Sequence, residues 1–241
     1  MTDGASHSAP YAVLAALPEE LAVLHERTRR TIRTQGLEVL ELDLGCSSAL
    51  ACVDGVGKVN AAHGVSVLLG SGATRGLFVV GVCGGLRQAL TPGTLVHCER
   101  AVQTDLALRG DREVSSDAHL RQVWQGVAHG PSGWFLTADR PVLSLWRRLR
   151  LARAFAGACV ADMETAAAGA VALRAGVPWA ALRAVTDGAT EGGLLAFRKN
   201  FRVQADRAAA TLPELVKALH NCRNVSPAPI HDALASNPGG K

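Results

Sequence analysis

The chain has 241 residues and a net charge of +4 spread along its length, without the basic arm or interleaved aromatics of a nucleic-acid binder. Hydrophobic residues make up 48% of it but aromatics only 4%, so its core must be built from Ala, Val and Leu, which suits close packing of helices on a sheet. No apolar run reaches the roughly 18 residues of a membrane span, and the polar start Met1 to Pro10 has no apolar signal segment, so a cytoplasmic protein without a transmembrane segment is expected.

Composition does not change at any internal point, which predicts one domain over 11–222 between flexible tails at 1–10 and 223–241. Tyr11 to Leu17 reads as the first strand. Pro18 suits a first helical turn, and Glu19, Glu20, Leu21 and Leu24 continue as an amphipathic helix. Leu37 to Leu44 and Ser48 to Val53 read as a strand pair around Gly45. Asp54-Gly55-Val56-Gly57-Lys58 is a glycine turn, and Val59 to Leu69 a helix. Gly76 to Val82 is an apolar strand running into Cys83-Gly84-Gly85, and Thr94 to Ala101 is another strand behind Pro92-Gly93. Leu120 to Val127 reads as a helix, Gly133 to Thr137 as a strand, and Val142 to Ala154 as a helix. The run Arg147-Arg148-Leu149-Arg150 with Arg153 reads as its solvated face. Asp162 to Ala175 is a helix stopped by Gly176 and Pro178, Trp179 to Val185 a buried strand, and Leu195 to Leu219 a long last helix interrupted at Pro213. Strands alternating with helices give an α/β fold with a mostly parallel sheet covered on both faces.

The six cysteines form no C-x-x-C pair, and the eight histidines have no H-x-x-x-H spacing. No metal site and no cofactor are predicted, and the cysteines read as reduced.

Two blocks carry the chemistry. In Val160-Ala161-Asp162-Met163-Glu164-Thr165 an apolar segment runs into two carboxylates. In Ala184-Val185-Thr186-Asp187-Gly188-Ala189 a strand delivers an aspartate at its carboxyl end. Ligands of open α/β sheets bind at such strand ends. Taken singly, Asp162 and Glu164 are equally first-turn acids on a helix dipole, Asp187 a turn residue, and Glu20 a solvated carboxylate. Gly81-Val82-Cys83-Gly84-Gly85 is either a tight turn or a place where backbone passes close to a ligand. Gly55-Val56-Gly57-Lys58 matches neither the P-loop nor the dinucleotide fingerprint.

The blocks Ala16-Leu17-Pro18-Glu19-Glu20, Gly55-Val56-Gly57-Lys58-Val59-Asn60-Ala61-Ala62, Gly81-Val82-Cys83-Gly84-Gly85-Leu86, Pro92-Gly93-Thr94-Leu95-Val96, Asp162-Met163-Glu164-Thr165 and Arg183-Ala184-Val185-Thr186-Asp187, in this order, resemble the purine nucleoside phosphorylase and nucleosidase superfamily. The look is nearest to the methylthioadenosine/S-adenosylhomocysteine nucleosidases, while Ala138-Asp139-Arg140-Pro141-Val142 resembles the hopanoid-associated, adenosyl-lipid phosphorylases. The resemblance implies a single-domain α/β fold with a central mixed, partly barrel-like sheet flanked by helices, in a homodimer or higher oligomer. It implies an enzyme that takes a small purine nucleoside and releases the base. Glu164 would bind the ribose hydroxyls and Met163 pack on the sugar. Asp187 would protonate purine N7, and Glu20 activate water, with Glu19 its competitor for that role. Val82, Cys83 and Gly84 would line the substrate site. Where relatives carry serine after the first glycine of that turn, this chain has Val82, and Ala15 to Leu24 holds no arginine. Both departures favour water over phosphate. Inorganic phosphate would be a co-substrate only in a phosphorylase; Arg87 and Arg140 are candidate anion ligands and equally read as solvated loop arginines. A non-catalytic nucleoside-binding protein is the reading from another class. Phe197 and Trp134 are the candidates for base stacking.

Overall fold

The computed structural model describes residues 9–107, 112–155, 157–188 and 193–224. Most of the expected tails (1–8 and 225–241) and Ala189 of the second acidic block lie outside the described residues. Strand β1 (Tyr11–Ala15) lies between β4 (Ser48–Val53) and β5 (Leu77–Gly85) and is parallel to both. Antiparallel strands β3 (Leu37–Asp43) and β2 (Thr28–Thr34) extend the sheet beyond β4. On the other side the sheet closes on itself. There β5 pairs with β10 (Trp179–Asp187), β10 with β6 (Leu95–Gln103), β6 with β8 (Ser132–Thr137), β8 with β9 (Ala158–Asp162), and β9 returns to β5. The short β7 (Glu113–Ser115) adds to β6.

The sheet is therefore mixed and partly barrel-like, not mostly parallel as the alternation of elements suggests. Closing the barrel requires β6 to run against β10 and β9 against β5. The outer hairpin β2–β3 turns at Gln35 and Gly36, both with positive φ (47° and 81°), the pattern of a tight hairpin turn. β2 was not foreseen, because the alternation in Thr-Arg-Arg-Thr-Ile-Arg-Thr is hidden by charged and half-exposed side chains. β7 was also missed; three residues carry no readable period.

Helices α1 (Lys58–Gly70) and α4 (Thr165–Arg174) bury one apolar cluster against the sheet, with Leu14, Val65, Leu68, Val79 and Val185 at its centre. The second cluster, on the opposite face, joins Val13, Phe78, Val80 and Leu182 to α2 (Ala118–Val127), α6 (Leu212–Asn224) and the 3-10 segment Pro18–Arg27. The small residues of α4 let it approach closely: a methyl at Gly169 would lie 2.6 Å from the Trp179 ring.

Of the helix boundaries that differ from expectation, three are informative. The last helix is two, α5 (Gly193–Ala209) and α6, and Pro213 sits in the first turn of α6, where its missing N–H is no loss. Helix α3 (Leu145–Ala154) begins three residues later than predicted, at a Ser144 cap whose hydroxyl accepts the Arg147 N–H. Asp162 belongs to β9, and α4 starts only at Thr165.

Candidate active site

The mouth of the closed part of the sheet holds a cavity of about 290 Å³. Glu20, Val82, Cys83, Gly84, Met163, Glu164 and Asp187 all line it, although they come from four separate stretches of chain. Arg140 and Phe197 also line it. Trp134 does not reach it and instead lies under the Arg100 guanidinium.

Local structure aims each carboxylate inward. Pro18 starts the 3-10 segment, and two residues later the Glu20 side chain folds back. Its Oε2 accepts the N–H groups of Ala16 (2.8 Å) and Leu17 (3.0 Å), which the first turn leaves without partners. Its Oε1 accepts the Val82 N–H across the cavity floor at 2.9 Å. Glu19, its neighbour, faces solvent. Glu20 comes this close to β5 because Gly81, at φ +145°, has no side chain: a methyl there would meet Glu20 Oε1 at 2.1 Å.

Glu164 occupies the cap position of α4 but makes no side-chain cap bond. Its Oε1 accepts the Gly57 N–H (3.1 Å) and its Oε2 the Arg183 Nη2 (3.0 Å). Gly57 is held in place by the next residue: the Lys58 N–H donates to Asp139 Oδ1 (2.8 Å), and Lys58 Nζ lies 2.7 Å from Asp105 Oδ1. Lys58 of the glycine turn therefore ties the α1 start to the 138–142 segment. Asp162 is fixed by the hydroxyls of Thr137 and Thr165.

A register shift in β10 between Val185 and Asp187 re-aims the strand end, and the Asp187 carboxyl enters the cavity. Its Oδ1 lies 2.8 Å from the Thr186 hydroxyl, which also sits 3.1 Å from the Cys83 carbonyl. Its Oδ2 accepts from Arg148 Nη2.

Sequence reading passed over two arginines. Arg183 stands in the middle of the apolar run of β10 and is 1% exposed. Its guanidinium faces Glu164 (3.0 Å), Asp162 (3.5 Å) and Glu20 (3.7 Å). A charge inside a buried strand was the available signal. Arg148 belongs to a basic run that reads as a solvated face, and nothing in a run of arginines distinguishes the one that turns inward.

The electrostatics follow from three carboxylates sharing one guanidinium. Burial raises the pKa of Glu164 to about 7; Arg183 opposes the rise, and Asp162 and Glu20 add to it. Burial works against the Arg183 charge, but Asp162, Glu164 and Glu20 outweigh it and push its pKa up. The Cys83 thiol is raised well above its usual range by burial, which makes it no nucleophile at neutral pH. Among the described residues no three His, Cys, Asp or Glu side chains are grouped to hold a metal ion.

The sequence profile of the phosphorylase superfamily matches residues 10–219. The 5'-methylthioadenosine/S-adenosylhomocysteine nucleosidase of Geobacillus kaustophilus is 25% identical over 232 residues, which cover 88% of this chain and 98% of that protein. Among solved structures, the S-adenosylhomocysteine nucleosidase of Streptococcus pyogenes in complex with 5-methylthiotubericidin superposes with a TM-score of 0.83 at 22% identity, over 90% of this chain and 99% of that one. The futalosine hydrolase of Helicobacter pylori superposes with a TM-score of 0.78 at 20% identity, over 88% and 97% of the two chains. The chain belongs to the phosphorylase superfamily and is an enzyme of its nucleosidase or nucleoside phosphorylase type.

Proposed function

We propose that the protein hydrolyses the N-ribosidic bond of an adenosine-type, 5′-substituted purine nucleoside and releases the base. The observation that carries this reading is the meeting of Glu164, Asp187 and Glu20 in one cavity. Breaking the bond leaves a cation-like sugar and a base that departs poorly as an anion. Asp187, at the end of β10, is the group that gives N7 a proton. Glu164, anchored by Gly57 and Arg183, accepts the ribose hydroxyls and sets its charge beside the developing cation. Glu20 takes a proton from the attacking water. The relatives named for methylthioadenosine and adenosylhomocysteine support the adenosine-type substrate.

Water is favoured over phosphate by the charge around Arg183. Its single positive charge is already met by Glu20, Asp162 and Glu164, so a phosphate dianion would meet an excess of negative charge. Val82 offers no hydroxyl to hold one. Phosphorolysis is the second reading, supported by Arg140 and Arg147 on the same cavity wall. Incubation with methylthioadenosine, adenosylhomocysteine, adenosine and inosine, with and without phosphate, separates the two, since free ribose and ribose 1-phosphate are distinct products. Asp187→Asn is expected to lower base release by about 10²–10⁴-fold. Nucleoside binding with no base release from any substrate would overturn both readings and leave a binding protein.

A further inference from the structure

We propose that Arg148 is a latch on the site: the purine base and the Arg148 guanidinium compete for Asp187, so that base binding releases helix α3. The proposal rests on Asp187 meeting the base.

Helix α3 is fastened chiefly through this one side chain. Leu145, Trp146 and Leu149 are 53%, 70% and 44% exposed, whereas Arg148 is 2% exposed and is the buried residue of the helix. Its side chain lines the cavity. Its Nη2 donates to Asp187 Oδ2. Its Nη1 donates to the carbonyl of Gly188 and reaches those of Gly85 and Asp187, each at 3.3 Å. Thus the guanidinium binds the side chain of the candidate acid, that residue's own carbonyl and the following one, and the Gly85 carbonyl at the end of β5. Beyond Arg148, α3 contributes a half-buried Leu151 to a small cluster with Leu86 and Leu136.

Two requirements collide at Asp187 Oδ2. To protonate N7, a carboxyl oxygen must carry a proton and face the base. With the guanidinium bonded there, Arg148 Nη2 stands where N7 would have to come. Asp187 Oδ1 is engaged by the Thr186 hydroxyl at 2.8 Å, which makes Oδ2 the preferred oxygen for the base. Base binding must therefore push Arg148 aside, and with it goes the main tie of α3 to the barrel. By linkage, whatever loosens the latch strengthens base binding by the same factor. The Arg148–Asp187 contact covers the acid, and its release opens a route for the base through the α3 side of the cavity.

The test is amide hydrogen exchange across 145–155, read without turnover, together with adenine binding by calorimetry. In Arg148→Met, which keeps the apolar stem, α3 is expected to exchange at least five-fold faster and adenine to bind about 10-fold tighter. Asp187→Asn is expected to speed α3 exchange to a similar extent without ligand, and adenine to speed it in the wild type but add nothing in Arg148→Met. Arg148→Lys, which keeps charge but lacks the fork, is expected to fall between, and serves if Arg148→Met does not fold. The latch is overturned if adenine slows or does not change α3 exchange in the wild type. It is overturned equally if α3 is unaffected in both variants, or if Arg148→Met weakens adenine binding. Faster α3 exchange in Asp187→Asn in a protein that cleaves no nucleoside would keep the contact and refute the proposed reaction instead.

Discussion

Glu164 carries two demands that pull in opposite directions. In its proposed role as ribose ligand beside a forming cation it must be charged, yet burial, with Asp162 and Glu20 nearby, raises its pKa to about 7. kcat/KM for the nucleoside is therefore expected to rise with pH through about 7, which a pH profile of base release checks. Glu164→Gln is expected to remove that limb and lower kcat/KM by roughly 10- to 100-fold, the worth of hydrogen bonds to a charged group. The two blocks with acidic side chains at strand ends were legible in the sequence, because an acid closing an apolar run is conspicuous. What each acid meets was not. Asp162 and Glu164 stand two positions apart, but one ends a strand against two threonine hydroxyls and the other reaches Arg183 and Gly57.

At the scale of elements, the site depends on how closely β5 and the 3-10 segment approach. Gly81 holds a positive φ and leaves room for Glu20 Oε1 and Arg183 Nη1, which a methyl would meet at 2.1 Å and 2.5 Å. Gly81→Ala is thus expected to lower stability by roughly 1–3 kcal/mol from strain alone. It should also lower kcat/KM by displacing Glu20, and denaturant unfolding with parallel kinetics reads both effects. Four strands of the closed sheet, β5, β6, β8 and β10, were readable as apolar runs introduced by glycine or proline, while β9 reads only as an apolar segment leading into acids. Their direction was not: nothing in Thr94 to Ala101 says that it runs against β10 and beside β8. The break between α5 and α6 was visible in Pro213, though it falls at residues 210 and 211.

For the molecule as a whole, two buried groups give opposite pH dependences of stability. His97 is fully buried against Trp124. Its Nε2 donates to the Ala128 carbonyl at 2.7 Å, while its Nδ1 has no partner among the described residues. Burial lowers its pKa below 6.5, so the unfolded chain binds that proton first and stability falls as pH drops below about 6.5. Glu164 acts the other way. Its raised pKa means that the folded chain binds the proton first, and stability falls as pH rises from about 4.5 to about 7. The two windows overlap and offset each other. In thermal melts between pH 5 and 7, Glu164→Gln is expected to expose a Tm that falls with acidification, and His97→Gln a Tm that rises with it. Identical slopes for the two variants would refute the assignment.

The sequence by itself determined the class of fold, the periods of most helices and strands, and the residue types that an N-ribosidic cleavage requires, because local pattern and residue chemistry are written along the chain. Only the tertiary structure decided that Glu20 and not Glu19 turns inward, that Arg183 is shared by three carboxylates, and that Arg148 is drawn out of a basic run onto Asp187. These choices depend on pairings across scores of residues. They are settled by burial and by competition for one guanidinium or one carboxylate, which no short stretch of sequence contains.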